Sequence, residues 1–327
     1  MTAGLAATAT VTAAWVSAAM RGGGGHDVPV SVVVVGGAGF IGSHLVDRLL
    51  ADGQAVDVID DLSSGSLANL AAARSAGGEL KFHHLDAAAG ETGSLLAMRR
   101  PAVLYHLATV TSGSTSVDCH AAAFGRTLAL LEAARQHGIP KIVVAVPATA
   151  IYGRPAARDL PIKERELEPR GVRGVVARSI VDLLATYREQ HAVEFTVLAM
   201  SSVYGPRQRP DGGVVAAFAA AAVSSSPPHV AGDGRQTRDF VFVDDVVDAL
   251  VRAGGRGSGL VVNIGTGTQT SVRDLWALIA GATAPEPVYG PAPADELSRF
   301  AVSPVRARIH LSWSPWTDLR SGLAQLR

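Results

Sequence analysis

The chain has 327 residues, 48% of them hydrophobic, which is enough to bury a core larger than one average domain and too many for a disordered polypeptide. Its 29 Lys and Arg residues balance 29 Asp and Glu residues, leaving no net field to draw nucleic acid or an acidic membrane surface. A lone cysteine, Cys119, excludes an intramolecular disulfide, and neither CxxC nor HExxH spacing marks a metal site, so a cytoplasmic protein without a bound metal is expected.

Residues 1–27 stand apart. Met1 to Met20 is a small-residue run without basic residues, followed by Arg21 and the tract Gly22–Gly25. A signal peptide would carry positive charge ahead of its apolar stretch, and Thr and Ser interrupt this segment too often for a membrane span. It reads as a flexible or loosely helical extension on a glycine linker. Strand patterns follow at Val30–Val35, Ala55–Ile59, Ala102–His106, Lys141–Val146 and Phe195–Ala199, with helical spacing at Ile41–Leu50, Thr127–Gln136 and Ser179–Arg188. β-branched runs without polar alternation are the mark of strands buried on both faces. Past residue 200 the pieces shorten: a helix at Val214–Ala222, a strand near Phe240, a helix at Asp244–Arg252, a strand at Leu260–Ile264 and a helix at Val272–Ile279. The alternation predicts an α/β doubly wound parallel sheet over residues 28–200 and a smaller C-terminal lobe over 201–327 that returns segments to the sheet.

Gly36, Gly39 and Gly42 lie between the first strand and the first helix, where glycines let backbone approach a pyrophosphate and the helix start offers it free N–H groups. Asp60 and Asp61 end the next strand. A carboxylate there accepts hydrogen bonds from adenosine ribose hydroxyls and repels a 2′-phosphate, so a Rossmann fold is expected with NAD(H) favoured and NADP(H) left open.

Gly36-x-x-Gly39-x-x-Gly42-Ser43-His44 and Asp60-Asp61-Leu62-Ser63 resemble the NAD-dependent epimerase/dehydratase family, the extended short-chain dehydrogenases/reductases. The likeness continues through Tyr105-His106-Leu107-Ala108, Leu130-Leu131-Glu132-Ala133-Ala134, Ile151-Tyr152-Gly153, Val203-Tyr204-Gly205-Pro206-Arg207, Gly232-Asp233-Gly234 through Asp244-Asp245, and Asn263-Ile264-Gly265-Thr266-Gly267. The resemblance implies a cofactor site of Gly36, Gly39, Phe40, Ile41, Gly42, Asp60, Asp61 and Leu62. Asp86 and Ala87 would meet the adenine, Leu107, Ala108 and Thr109 would line the cofactor, and Met200, Ser201 and Val203 would lie near the nicotinamide. It also implies a homodimer formed through the helices around Thr127–Gln136 and Ser179–Arg188, a possibility their apolar content permits.

The family's Tyr-x-x-x-Lys pair is missing. Counting back from Phe195–Leu198 puts Arg173 at the tyrosine position, Gly174 beside it and Ala177 at the lysine position, and no tyrosine in the chain is followed four residues later by lysine. The family's hydroxyl position holds Ala148, with Thr149 adjacent. An asparagine of the substrate side is Ser202, and one of two arginines that grip a diphosphate is Ala292, while Arg238 remains. Losing one such charge-assisted contact weakens a nucleotide sugar by about 1.5–3 kcal/mol.

These departures resemble atypical angucyclinone (aromatic polyketide) ketoreductases and predict an NAD(P)H-dependent ketoreductase of antibiotic biosynthesis. Its hydroxylated aromatic substrate would supply the proton itself. In that reading Thr149, Arg173 and Ser112 are catalytic, and Ser114, Ser202 and Arg238 bind substrate. Two alternatives stand beside it: a nucleotide-sugar epimerase, dehydratase or 4-ketoreductase with a substituted acid, and a non-catalytic NAD-binding protein. His106 and Tyr152 read as packing residues.

Overall fold

A computed structural model describes residues 30–110, 116–164, 168–169, 171–281, 285–293 and 296–326. Strands β1 (Ser31–Val35), β2 (Ala55–Asp60), β3 (Leu80–His84), β4 (Val103–His106), β5 (Lys141–Pro147) and β6 (Glu194–Met200) form one sheet with β11 (Leu260–Ile264), in the order β11-β6-β5-β4-β1-β2-β3. Every pairing in it is parallel. Parallel strands need crossovers, and helices supply them: α1 (Phe40–Ala51), α2 (Ala71–Ser75), α3 (Gly90–Arg99), α4 (Val117–His137), the short α5 (Ala148–Tyr152) and α6 (Gly171–His191). This is the α/β Rossmann architecture that the alternating pattern predicts.

Val32, Val33 and Val34 of β1 are wholly buried because helices cover both faces of the sheet. On one face Leu45, Val46 and Leu49 of α1 pack with Val246 and Leu250 of α8 (Val243–Gly255). On the other, Leu130 and Leu131 of α4 pack with Ile180 and Leu184 of α6. Helix α4 stops where Gly138 turns left-handed at φ 68°, a conformation that relieves the last carbonyls of the helix. No described helix is long and apolar enough to cross a membrane.

The remaining elements are short: β7 (Ser202–Tyr204) pairs with β10 (Phe240–Phe242), β8 (His229–Ala231) with β13 (Val288–Gly290), and β9 (Thr237–Arg238) with β12 (Thr270–Ser271). Helices α7 (Val214–Val223), α9 (Val272–Ala280), α10 (Val305–His310) and α11 (Leu319–Ala324) surround them.

Strand β3 and helices α4 and α6 differ from the sequence reading. Strand β3 reads Leu-Lys-Phe-His-His, an edge strand without a fully buried residue, so it lacks the apolar signature of its neighbours. The helices around Thr127 and Ser179 begin eight or more residues earlier than their apolar spacing, at Val117 and Gly171, because their first turns are exposed.

Candidate active site at the switch point of the sheet

The strand order reverses between β1 and β4, and the loops leaving these two strands bound a crevice, the place where doubly wound sheets bind ligands. The β1 loop reaches the β4 loop closely. Gly36 sits at φ +81°, and a Cβ on it would lie 3.1 Å from the Ala108 nitrogen and 3.3 Å from the Leu107 carbonyl carbon. At Gly42 a Cβ would stand 2.1 Å from the Gly36 oxygen, so only glycine lets α1 start against the loop. The Ser43 N–H donates to the Gly39 oxygen at 3.0 Å, which leaves the earlier amides of Phe40, Ile41 and Gly42 without an intrahelical acceptor. No side chain caps this start, and its first turn carries no acidic residue. A cradle that a single Cβ would fill, with open amides at a positive dipole end, fits a dinucleotide pyrophosphate.

Asp60 lies at the end of β2 beside this loop. Its Oδ2 accepts the Ala38 N–H at 2.8 Å and its Oδ1 the Leu62 N–H at 2.9 Å, which leaves one lone pair on each oxygen for ribose hydroxyls. Burial raises its pKa, and the two amide bonds oppose that shift. Asp61 accepts Ser63 N–H at 2.9 Å and receives Arg126 Nη2 at 2.5 Å. Arg126 also clasps Asp86, through Nε to both oxygens at 3.3 and 3.2 Å and through Nη2 at 2.7 Å. Hydrogen bonding from Arg126 holds the Asp86 carboxyl below its ordinary range. Asp86 is thus held in an ion pair beside the buried Ala87. Sequence reasoning missed Arg126, whose two partners lie 65 and 40 residues away.

Just past β5, Arg173 Nη2 donates to Thr149 Oγ1 of α5 at 2.9 Å. The structure therefore joins Arg173 to Thr149, the neighbour of Ala148. Helix α6 can bring Arg173 there because Gly174 presses on α5, where a Cβ would meet the Ala150 oxygen at 2.8 Å. Ala177, at the lysine position, is wholly buried. Tyr152 is also buried, and its hydroxyl donates to Asn263 Oδ1 at 2.7 Å. His106 bonds Thr127 Oγ1 through Nε2 at 3.0 Å, while Thr127 donates its own proton to the Ala123 oxygen. Burial pushes the His106 pKa down to about 3, so the ring is neutral and its buried Nδ1 has no partner.

Other expected site residues are turned to structural bonds. Thr109 donates to the Ala145 oxygen at 2.5 Å, and Ser201 donates to the Asp239 oxygen at 2.5 Å. Ser202 N–H bonds that same carbonyl at 2.9 Å, Met200 ends β6, and Val203 lies in β7. Arg238 is an ion-pair partner of Glu296 and donates to the Leu297 oxygen at 2.7 Å. The expected anion contact of Arg238 thus competes with a carboxylate already in place. Ser112 and Ser114 lie outside the described residues.

The model of the NAD dependent epimerase/dehydratase family matches residues 32–265. UDP-glucose 4-epimerase of Mycolicibacterium smegmatis is 42% identical over 90% of this chain and 96% of its own length. The solved UDP-glucose 4-epimerase of Thermotoga maritima, with UDP-glucose, shares 34% identity and a TM-score of 0.84 over 90% of this chain and 97% of that one. The Thermus thermophilus UDP-glucose 4-epimerase in complex with NAD shares 30% identity and a TM-score of 0.80 over 90% of this chain and 97% of that one.

These relatives overturn the expectation of an aromatic polyketide ketoreductase. That expectation rested on lost side chains: Arg173 and Ala177 in place of the Tyr-Lys pair, and Ala292 in place of one arginine. Likeness to UDP-glucose 4-epimerases along nine-tenths of the chain outweighs these few substitutions.

Proposed function

The chain belongs to the NAD dependent epimerase/dehydratase family, and on that premise we propose that it is a UDP-hexose 4-epimerase in which Arg173 and Thr149 stand at the reacting hydroxyl. It is an NAD-dependent enzyme of the extended short-chain dehydrogenase/reductase type. The observation that carries the reading is the likeness to UDP-glucose 4-epimerases along nine-tenths of the chain. The 2.9 Å bond from Arg173 Nη2 to Thr149 Oγ1, just past β5 and three strands from the β2 that ends in Asp60, supplies the polar pair.

In this reading the amides of Phe40, Ile41 and Gly42 hold the pyrophosphate, Asp60 binds the adenosine ribose, and Leu107 and Ala108 form the wall beside it. NAD supplies a reversible hydride acceptor when bound. A guanidinium donates hydrogen bonds and keeps its charge, so Arg173 takes no proton. It stabilises negative charge as that charge develops on the sugar oxygen. Thr149 accepts one of the Arg173 hydrogens, and its own hydroxyl proton remains to pass between the sugar oxygen and water. A positioned side-chain base contributes about 10²- to 10⁴-fold to such a step, so turnover is expected to be slow by that margin.

Two measurements test the reading together. Purified protein supplied with NAD+ is offered UDP-glucose, UDP-galactose and UDP-glucuronic acid, and product formation is followed by chromatography while thermal melting reports binding. Interconversion at C4 with a raised melting temperature is the expected result. Stabilisation by none of the three, with no product, overturns the nucleotide-sugar assignment.

A further inference from the structure

Three carboxylates gather at the adenosine end of the crevice, and one cation serves two of them. Asp60 is anchored to the glycine loop through Ala38, and Asp61 follows it in the chain. Asp60 is paired in register with His84 of β3, and Asp86 lies two residues beyond, so all three acids sit at the same edge of the sheet. Arg126 reaches them from α4. Its Nη2 is shared between Asp61 Oδ2 at 2.5 Å and Asp86 Oδ2 at 2.7 Å, and its Nε faces both Asp86 oxygens. Its Nη1 donates to no described residue. The side chains are 19% exposed for Arg126 and 28% for Asp61, so a ligand can reach the pair.

We propose that Arg126 is a latent ligand for an adenosine 2′-phosphate, and that Asp61 selects NAD over NADP by holding its guanidinium away from that phosphate. The inference rests on the dinucleotide site of the proposed function and adds to it a second selecting carboxylate beside Asp60. Two mechanisms act at this edge. Asp60 and Asp61 repel a phosphate directly, and the ion pairs to Asp61 and Asp86 neutralise and orient the one cation that would attract it. Neutralising Asp61 leaves Arg126 held from one side only, by Asp86 through Nε and Nη2, with Nη1 and the Nη2 hydrogen that Asp61 took free for a phosphate.

Titration calorimetry with NAD+ and NADP+ on four proteins separates these mechanisms: the wild type, Asp61→Asn, Arg126→Ala and the double variant. Asp61→Asn is expected to shift the affinity ratio toward NADP+ by about tenfold or more, the size of one charge-assisted contact. With Arg126→Ala in the background, the same substitution is expected to shift the ratio by about threefold or less, the part owed to bare repulsion. A fifth protein, Asp61→Asn with Arg126→Lys, which keeps the charge and loses the planar fork, is expected to show an intermediate shift. An equal shift with and without Arg126, or no shift at all, overturns the proposal. A wild type that binds neither nucleotide overturns the dinucleotide site and this inference with it. Circular dichroism and melting verify each fold, and Asp61→Ala replaces Asp61→Asn if the latter does not fold.

Discussion

Arg173 and Thr149 are 24 residues apart in sequence and 2.9 Å apart in space. Counting back from the strand Phe195–Leu198 was enough to single out Arg173, because helix α6 feeds directly into β6 through a short turn and leaves little freedom in register. The bond to Thr149 was not legible in the same way, since it depends on Gly174 letting α6 settle on α5. In the proposed mechanism the charge of Arg173 acts where the sugar oxygen becomes negative. Arg173→Ala is therefore expected to lower kcat by about 10²-fold while KM changes much less, a split that steady-state kinetics reads. The pH dependence carries a second signature. A phenol–lysine pair gives a plateau once the phenol ionises, but neither a guanidinium nor a threonine titrates in the working range. With water as the acceptor and no titrating side chain, kcat is expected to stay flat from pH 6 to pH 9, and a rise to a plateau in that interval would show that a titrating side chain acts as base.

At the scale of elements, the glycine loop and α1 form a joint whose tolerance is set by one distance. A methyl at Gly42 would stand 2.1 Å from the Gly36 oxygen, so Gly42→Ala must push α1 away from the loop. The expected cost is about 1–3 kcal/mol of stability, together with a loss of NAD+ affinity that exceeds the loss of UDP-sugar affinity. Calorimetry and melting measure both.

At the opposite, N-terminal ends of the strands, Lys141 begins the interior strand β5 almost fully buried, donating to Thr196 Oγ1 and Ser258 Oγ at 2.8 Å each. Burial pushes its pKa down to about 7, a shift that Glu194 opposes and Arg188 reinforces. The unfolded chain holds this proton up to about pH 10.5. Between pH 7 and that value the unfolded state binds more protons, so stability rises with pH, and below pH 7 the full cost of charging the buried amine persists. Lys141→Met should then raise Tm at pH 6 by about 3 °C or more and have little effect near pH 10. Thr196 keeps its bond to the Arg256 oxygen in that variant, so few polar groups are stranded.

The whole molecule depends on two buried carboxylates that tie distant segments together. Asp239 accepts from Thr266 N–H and Oγ1, from Gly267 N–H and from Val302 N–H, and its own carbonyl accepts from Ser201 and Ser202. Asp245 accepts from Trp316 N–H, Thr317 N–H and Thr317 Oγ1, holding the C-terminal segment on α8. Removing such an acceptor strands several buried donors, so Asp239→Ala should cost about 3–5 kcal/mol in denaturant unfolding.

How much of this was legible differs by region. The strands β1, β2, β4, β5 and β6 announce themselves as β-branched or apolar runs, because a central parallel strand touches helices on both faces. β3 is half polar at the edge, and α3 carries two glycines in ten residues, so neither shows a period. The pyrophosphate cradle is local in sequence and was readable there. The Asp61–Arg126–Asp86 and Arg238–Glu296 pairings join segments 40 or more residues apart, and only the assembled sheet and the folded lobe bring them together.

One labelling experiment tests the central claim most directly: NMR of UDP-glucose deuterated at sugar C4, incubated with the protein and NAD+ and repeated with Arg173→Ala. The expected result is UDP-galactose that keeps its deuterium at C4, formed about 10²-fold more slowly by the variant. Failure to form UDP-galactose, washing out of the label into water, or an unchanged rate without Arg173 would contradict hydride transfer at C4 beside a guanidinium.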